Sequence, residues 1–354
     1  MHNKEKRVLW LYNHETLRAF EAPLLRRLGF EIYLPKIFPS TEEYGSCFVD
    51  ASYDTFLTIP SDALDQLNQH DFYSKRIPRR LAHIMNDYFA AAIFGPFPKQ
   101  FKQIVSVFSG KLFFHVFGKE EPNTYHASLS YFLSRKIKRI QNRFFFAQAY
   151  PFLSEVEEGV FRDKAITLPI GIPDSFMRFE NSWTGGNGKL LFVCPRISTS
   201  PYYANIYTEF KKQFPSIPHL IAGRQFYQID DPDIQGNLPW DKYCHLLVTS
   251  EVMFYHSEEP RHLHYHPLEA ITCGLPLIYM KKGMLSRLVG HKNLAGGCTT
   301  FAEAKEKVLR VLQKDQSFIQ EVLATQKQLL EPFQNEYCEK TWKTNFVKIL
   351  DSRP

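Results

Sequence analysis

The sequence has no C-x-x-C pair, no apolar run long enough to cross a bilayer, no strong excess of one charge and no evident internal repeat. Each absence excludes something. Its six cysteines are Cys47, Cys194, Cys244, Cys273, Cys298 and Cys338, and several sit inside apolar runs such as "LLFVCPR" and "AITCGLP". That placement argues against a disulfide scaffold and predicts reduced core thiols of a cytoplasmic protein. No stretch approaches the ~18–20 apolar residues of a membrane span, which leaves only peripheral contact with the inner face of a membrane. The start, "MHNKEKRVLWLYNH", is basic, but its apolar stretch of about six residues falls short of the roughly 7–15 of a secretory segment. The formal charge is +6, from 43 basic and 37 acidic residues. So mild a balance does not point to nucleic acid; it fits an enzyme of anionic substrates or contact with an anionic surface.

What is present is globular. Hydrophobic residues make up 44% and charged residues 23% of 354 positions, a length that favours two domains over one core. "RVLWLY" (7–12) reads as a buried parallel strand, the following stretch repeats Leu17, Phe20, Leu24, Leu25 and Leu28 at helical spacing up to Gly29, and "FEIYLPK" reads as a second strand. This β-α-β alternation continues through "DTFLTIP", "DYFAAAIFGP", "KLFFHVFG", "RFFFAQAY" and "AITLPIGI". The polar stretch 174–189 breaks the pattern. It is read as a linker in which Gly185, Gly186 and Gly188 give hinge freedom. A second series then runs through "KLLFVCPR", "HLIAG", "EVMFYH" and "LPLIYM", separated by helical segments, and ends in an amphipathic tail around Trp342. The expected fold is α/β, with two Rossmann-like domains at 1–175 and 189–331 around a cleft, and a helix at 332–354 packing back on the first.

The chemistry concentrates in "EVMFYHSEEPRHLHYHPLEAITCGLPLIYM". In an open α/β sheet, ligands bind outside the carboxyl ends of the strands. The loop after "EVMFYH" runs into a helix beginning near His266 and Pro267, and proline suits a first helical turn. The free N–H groups there make an anion site. Glu269, in the first turn, is placed to accept hydrogen bonds from two adjacent hydroxyls. His262, His264 and His266 alternate, which on an extended segment would set three imidazoles on one face and leaves a metal reading open. A solvated loop without a role is the other open reading.

"HPLEAITCGLPLI" resembles the C-terminal nucleotide-binding motif of GT-B glycosyltransferases, through Glu269, Ala270, Gly274 and Pro276. The resemblance implies that Glu269 binds the ribose of a nucleotide-sugar donor and that no metal or other cofactor is needed. It implies a glycan or glycolipid acceptor and a place in capsule, lipopolysaccharide or other surface-polysaccharide assembly. In the first half of the motif Arg261 stands where retaining members carry glutamate, Leu263 and His264 replace Phe-Gly, and Glu258 or Glu259 serves if the loop is longer. Arg261, His264 and His266 then offset phosphate charge. His266-Pro267 also resembles the phosphate-holding dipeptide of CMP-sugar transferases of the sialic acid and Kdo type. A nucleotide-sugar 2-epimerase and a non-catalytic carbohydrate-binding protein are further alternatives.

Other candidates follow strand ends. Arg196, after "LLFVCP", and Gly223 with Arg224, after "HLIA", resemble the loops that meet the donor diphosphate; a surface arginine is the plain alternative. His115 resembles the histidine that many retaining members hold against the transferred sugar; a satisfied core histidine is its alternative. His14 and Glu15, after the first strand, are candidate bases for an inverting reaction, or else a helix cap and a first-turn carboxylate. "SRKIKRIQNRFFF" is a basic stretch that suits a solvated helix face or an anionic bilayer.

Overall fold

A computed structural model describes residues 4–39, 48–133 and 137–352. The chain divides into two units, Met1–Pro173 with Phe333–Pro354, and Asp174–Pro332.

The first unit holds a six-stranded sheet of β1 (Arg7–Leu11), β2 (Glu31–Tyr33), β3 (Ala91–Phe94), β4 (Lys111–Val116), β5 (Phe144–Gln148) and β6 (Ala165–Thr167). The order is β2-β1-β3-β4-β5-β6, and every pairing is parallel. Most of these strands read as unbroken apolar runs because both faces of a parallel sheet are covered by helices. Phenylalanines fill the space: Phe101 meets Phe114 edge-on at 4.9 Å, and Phe114, Phe144 and Phe146 all pack on Phe161. The helix Glu15–Arg27 runs through Pro23 without interruption. The chain returns to this unit at its end. Trp342, fully buried, donates from Nε1 to Pro169 O at 2.9 Å, and Phe346 packs on Phe30 and Phe113.

"DTFLTIP" is not a strand. Ser52–Phe56 forms a 3-10 turn, and the backbone beyond it is spent on side chains. Arg7 Nη2 donates to Thr58 O at 2.9 Å, while Thr58 N donates to Glu31 Oε2 at 2.9 Å. With its N–H and C=O both taken by an ion-paired Arg7–Glu31 couple, Thr58 has no ladder bonds to offer a neighbour.

The second unit holds β7 (Leu190–Val193), β8 (His219–Ala222), β9 (Val252–Tyr255), β10 (Leu277–Met280) and β11 (Gly297–Cys298). The order is β11-β10-β9-β7-β8, again all parallel. Its core includes Phe192, stacked on Phe210 at 3.9 Å, with Phe254, Ile221, Val308 and Val322. In both units the chain lays down one strand, adds the second on one side and the third on the other. Each sheet therefore has a topological switch point, between β1 and β3 in one and between β7 and β9 in the other. The crevice at that point is where α/β sheets take ligands.

The glycine-rich stretch is not loose. Gly185, Gly186 and Gly188 all have positive φ, a backbone glycine adopts without strain. Glu251 Oε1 accepts from Gly186 N at 2.8 Å and Gly188 N at 3.1 Å, and its other oxygen pairs with Lys314. Gly185 N and Asn187 N donate to Val248 O and Thr249 O. The stretch is fastened onto the second unit by its own backbone.

Candidate functional site

The switch point of the second unit lies at the carboxyl ends of β7 and β9, and its loops hold most of the residues picked out from the sequence. After β7 the chain turns at Cys194-Pro195-Arg196. Arg196 takes a left-handed backbone (φ 56°), a conformation costly for a residue with a Cβ. It is held there by its own N–H, which donates to Arg224 O at 2.8 Å. Gly223 sits opposite at φ 123°, where a Cβ would lie 2.8 Å from Pro195 N. Glycine is thus required for the two loops to meet. Gln225, buried, stitches them further: Ile197 N donates to its Oε1 at 2.9 Å, and its Nε2 donates to Cys194 O at 2.8 Å. The guanidinium groups of Arg196 and Arg224 both lie over the Phe226 ring, at 5.9 and 5.3 Å. A cavity of about 330 Å³ borders this loop, lined by Gln225, Tyr227, Asp230, Asp231 and Gly236 among others.

The helix Pro201–Gln213 begins directly after the arginine turn and carries Tyr203, whose hydroxyl lies 3.1 Å from His264 Nε2. Tyr255, the last residue of β9, brings its hydroxyl within 3.3 Å of His264 Nδ1. His264 is therefore gripped at both ring nitrogens. Around it stand His262 at 4.8 Å, His266 at 5.5 Å and His256 at 5.9 Å, measured between ring centroids. Burial disfavours the charged form of three of these rings: it pushes His256 down to about 4 and His266 to about 3, and His264 lies well below the ordinary value through burial and its histidine neighbours. Among the described residues, neither ring nitrogen of His256 nor Nε2 of His266 has a hydrogen-bond partner.

His266 and Pro267 open the helix His266–Cys273, every residue of which is buried. Glu269, in its first turn, is 7% exposed, and its Oε2 accepts from Tyr243 Oη at 2.7 Å. Burial raises its carboxyl to about 7, with the Tyr243 hydrogen bond opposing part of that rise. The helix closes at Gly274 in the left-handed conformation. Arg261 is buried, at 6% exposure. Glu258, in contrast, is exposed and pairs with Lys282 at 3.8 Å. Among the described residues no group of three or more His, Cys, Asp or Glu side chains is arranged to hold a metal ion.

In the first unit His14 caps the helix Glu15–Arg27, its Nδ1 accepting from Leu17 N at 3.4 Å, and Glu15 pairs with Arg18 at 2.6 Å. His115 lies within β4 rather than after it and is fully buried. Its Nδ1 is 3.2 Å from Glu21 Oε1 and its Nε2 is 3.0 Å from Leu168 O. Trp10 Nε1 donates to the other oxygen of Glu21 at 2.6 Å, and Tyr12 Oη donates to His115 O. In the basic stretch, Arg135 and Lys136 lie outside the described residues; Arg139 is exposed, and Arg143 donates to Phe108 O and Gly110 O. Cys47 also lies outside them, while Cys194, Cys244, Cys273, Cys298 and Cys338 are buried free thiols. No helix among the described residues is long and apolar enough to cross a membrane.

Three members of the site carry little signal in the sequence. His256 reads as the last residue of a strand, and only its place at the carboxyl end of β9 marks it. Tyr203 and Tyr243 read as ordinary helix residues, because the partners that give them meaning, His264 and Glu269, are distant in sequence.

No protein-family model matches the chain, and no curated protein sequence does. Solved structures do. A glycosyltransferase from Rickettsia africae is similar over 99% of this chain and 100% of its own, with a TM-score of 0.63 at 13% identity. Anabaena Alr3699/HepE, in complex with UDP-glucose, is similar over 97% of this chain and 99% of its own, with a TM-score of 0.61 at 12% identity. A Thermobaculum terrenum O-GlcNAc transferase is similar over 97% of this chain and 67% of its own, with a TM-score of 0.56 at 11% identity. The chain has the GT-B fold of these glycosyltransferases.

Proposed function

We propose that the chain is a glycosyltransferase that binds a nucleotide-sugar donor in its second unit and transfers the sugar to a glycan or glycolipid acceptor. The observation that carries this reading is Glu269: a buried carboxyl in the first turn of a helix that starts at a sheet's switch point, held by Tyr243, beside an anion-binding helix start. A carboxylate so placed suits the paired hydroxyls of a ribose. Arg196, Arg224, Arg261, His264 and His266 are the groups proposed to meet the donor's phosphates, and Gly223 lets the loops of Arg196 and Arg224 close on each other. Solved HepE complexes contain UDP-glucose, and UDP together with glucose, which favours a uridine donor here. Membrane-peripheral, surface-polysaccharide assembly and metal independence belong to the same proposal, the last because arginines and a helix N-terminus supply the neutralisation a metal would.

His14 and Glu15 are proposed as acceptor-side groups, with His14 the base if the reaction inverts. His115 is not carried forward: its contacts with Glu21 and Leu168 O are those of a core residue. Glu258 stays a candidate because it is exposed on the loop after β9.

The test is a calorimetric titration with UDP, GDP, CMP, dTDP and ADP, followed by Glu269→Ala. One nucleotide should bind, and the substitution should weaken it by about 1–3 kcal/mol, roughly 5- to 150-fold. Unchanged affinity in a folded variant would remove Glu269 from the ribose. A preference for CMP would favour the CMP-sugar reading of His266-Pro267, which the unpartnered Nε2 of His266 at the helix start supports. Activity abolished by EDTA and restored by one divalent ion would overturn metal independence.

A further inference from the structure

A phosphate site is usually charged by lysine or arginine, whose positive charge is permanent at neutral pH. The loop after β9 carries Arg261 and, beside it, four imidazoles between His256 and His266. A neutral imidazole carries one N–H donor and one lone-pair acceptor, and buried polar groups of native proteins are nearly always paired. His264 obeys that rule through Tyr203 and Tyr255. His256 does not at either nitrogen, and His266, 8% exposed, does not at Nε2, among the described residues. The paired His264 ring lies 5.9 Å from His256 and 5.5 Å from His266. An occupant that accepts hydrogen bonds would complete both.

We propose that His256 and His266, spaced by the anchored His264, form a proton-coupled anion site: a divalent oxyanion binds there together with a proton taken from solvent, which settles on the imidazole cluster. The proposal rests on the reading that the second unit binds a phosphate-bearing donor, and it adds how the charge of that donor is met. The empty cluster is neutral because burial and mutual repulsion disfavour charge. The rings in contact with its histidines are Tyr203 from the helix Pro201–Gln213, Tyr255 from β9, His262 from the loop itself and the apolar Phe192 from β7. The same loop carries the buried Arg261 and also Glu259, which has an electrostatic effect on Tyr255. A dianion in contact reverses the balance, since opposite charge favours the protonated ring most strongly where water is excluded. The helix N-terminus that begins at His266 adds its dipole in the same sense.

Sulfate is the discriminating probe, because it remains a dianion across neutral pH and any proton taken up then belongs to the protein. Calorimetric titration of the full chain with sulfate, in buffers of different ionisation heat, should show net proton uptake. Affinity should rise by up to about tenfold for each unit that pH falls between roughly 8 and 6. His256→Gln and His266→Gln should each flatten that slope, while His83→Gln, at an exposed position of the first unit, should keep it. Sulfate binding without proton uptake, a slope unchanged in both cluster variants, or no sulfate binding by a protein that binds a nucleotide would each overturn the proposal. If a cluster variant does not fold, the wild-type proton count decides alone. A parallel titration with UDP and with uridine separates the two levels. Nucleotide binding with no proton coupling to sulfate leaves the donor reading standing without this inference, and failure of every nucleotide to bind removes the donor reading itself.

Discussion

In the first unit two fully buried titratable groups, Glu21 and His115, lie against each other, with Trp10 Nε1 on the carboxylate and Leu168 O on the imidazole. In the second unit stand the buried His266 and Glu269 and the half-buried His256, and among the described residues no hydrogen-bond partner reaches either ring nitrogen of His256 or Nε2 of His266. His115 lies within β4 and Glu21 on the helix Glu15–Arg27, whereas His256 and His266 belong to the loop and helix start that follow β9, and aromatic rings stand at both places. The difference lies in what stands nearby: a carboxylate beside His115, other imidazoles and tyrosines beside His264. An imidazole paired with a carboxylate serves a core, whereas imidazoles gathered at a helix N-terminus suit an anion. The same residue type, histidine, thus serves structure in one unit and is proposed to serve binding in the other.

The comparison breaks first, and with the largest effect, at Glu21. Glu21→Ala leaves His115 and Trp10 Nε1 buried opposite nothing. It should cost about 3–5 kcal/mol of stability, as removal of one member of a buried pair does. Urea unfolding checks this, and nucleotide affinity should stay unchanged in the protein that remains folded. A loss below about 1 kcal/mol would mean the network is no more structural than the histidine cluster.

Glu269→Gln should act in the opposite direction. The folded protein holds this carboxyl's proton up to about pH 7, whereas an ordinary glutamate gives it up near 4.5. Between those values the folded state binds more protons than the unfolded chain, so stability falls as pH rises through that window. At about pH 8 the ionised, buried group costs on the order of 3 kcal/mol, which the amide avoids. The variant should therefore be more stable than wild type at alkaline pH, equal to it near pH 4.5, and weaker for nucleotide. The lowered histidines work the other way and are common to both proteins: unfolded imidazoles protonate near 6.5 and folded ones much lower, so stability falls as pH drops through that range. Comparing the variant with wild type at each pH cancels them.

Arg196→Gly gives the smallest change in stability and sharpens the functional side. Relief of the left-handed backbone offsets the added freedom of the unfolded chain, so unfolding should shift by no more than about 1 kcal/mol. Nucleotide affinity should still fall, through loss of the guanidinium. A variant that keeps full affinity would assign Arg196 to the loop's geometry alone.

Much of the fold is legible in the sequence because buried parallel strands leave an unmistakable mark: "RVLWLY", "KLLFVCPR" and "LPLIYM" are continuous apolar runs, and they become β1, β7 and β10. Glu269 and the helix start at His266 are legible for a similar reason, since "HPLEAITCGLP" is local. What is lost is long-range. "DTFLTIP" carries strand-like residues, yet Arg7 and Glu31 claim its backbone. Gly297–Cys298 is too short a strand to show a pattern. Gly185, Gly186 and Gly188 look like a loose linker until Glu251 is seen to hold them. Tyr243 gains meaning only from Glu269, which folding brings to it, and His256 only from its place beside His264.

The central claim is that the histidine cluster of the second unit receives the ligand while the Glu21–His115 pair of the first does not. Two-dimensional NMR of protein labelled at histidine side chains, assigned by single substitutions, tests it in one titration with the nucleotide that binds. The account predicts that the ring signals of His256, His264 and His266 move on saturation while those of His115 stay in place. Stationary cluster signals at saturating nucleotide, or movement confined to His115, would contradict it.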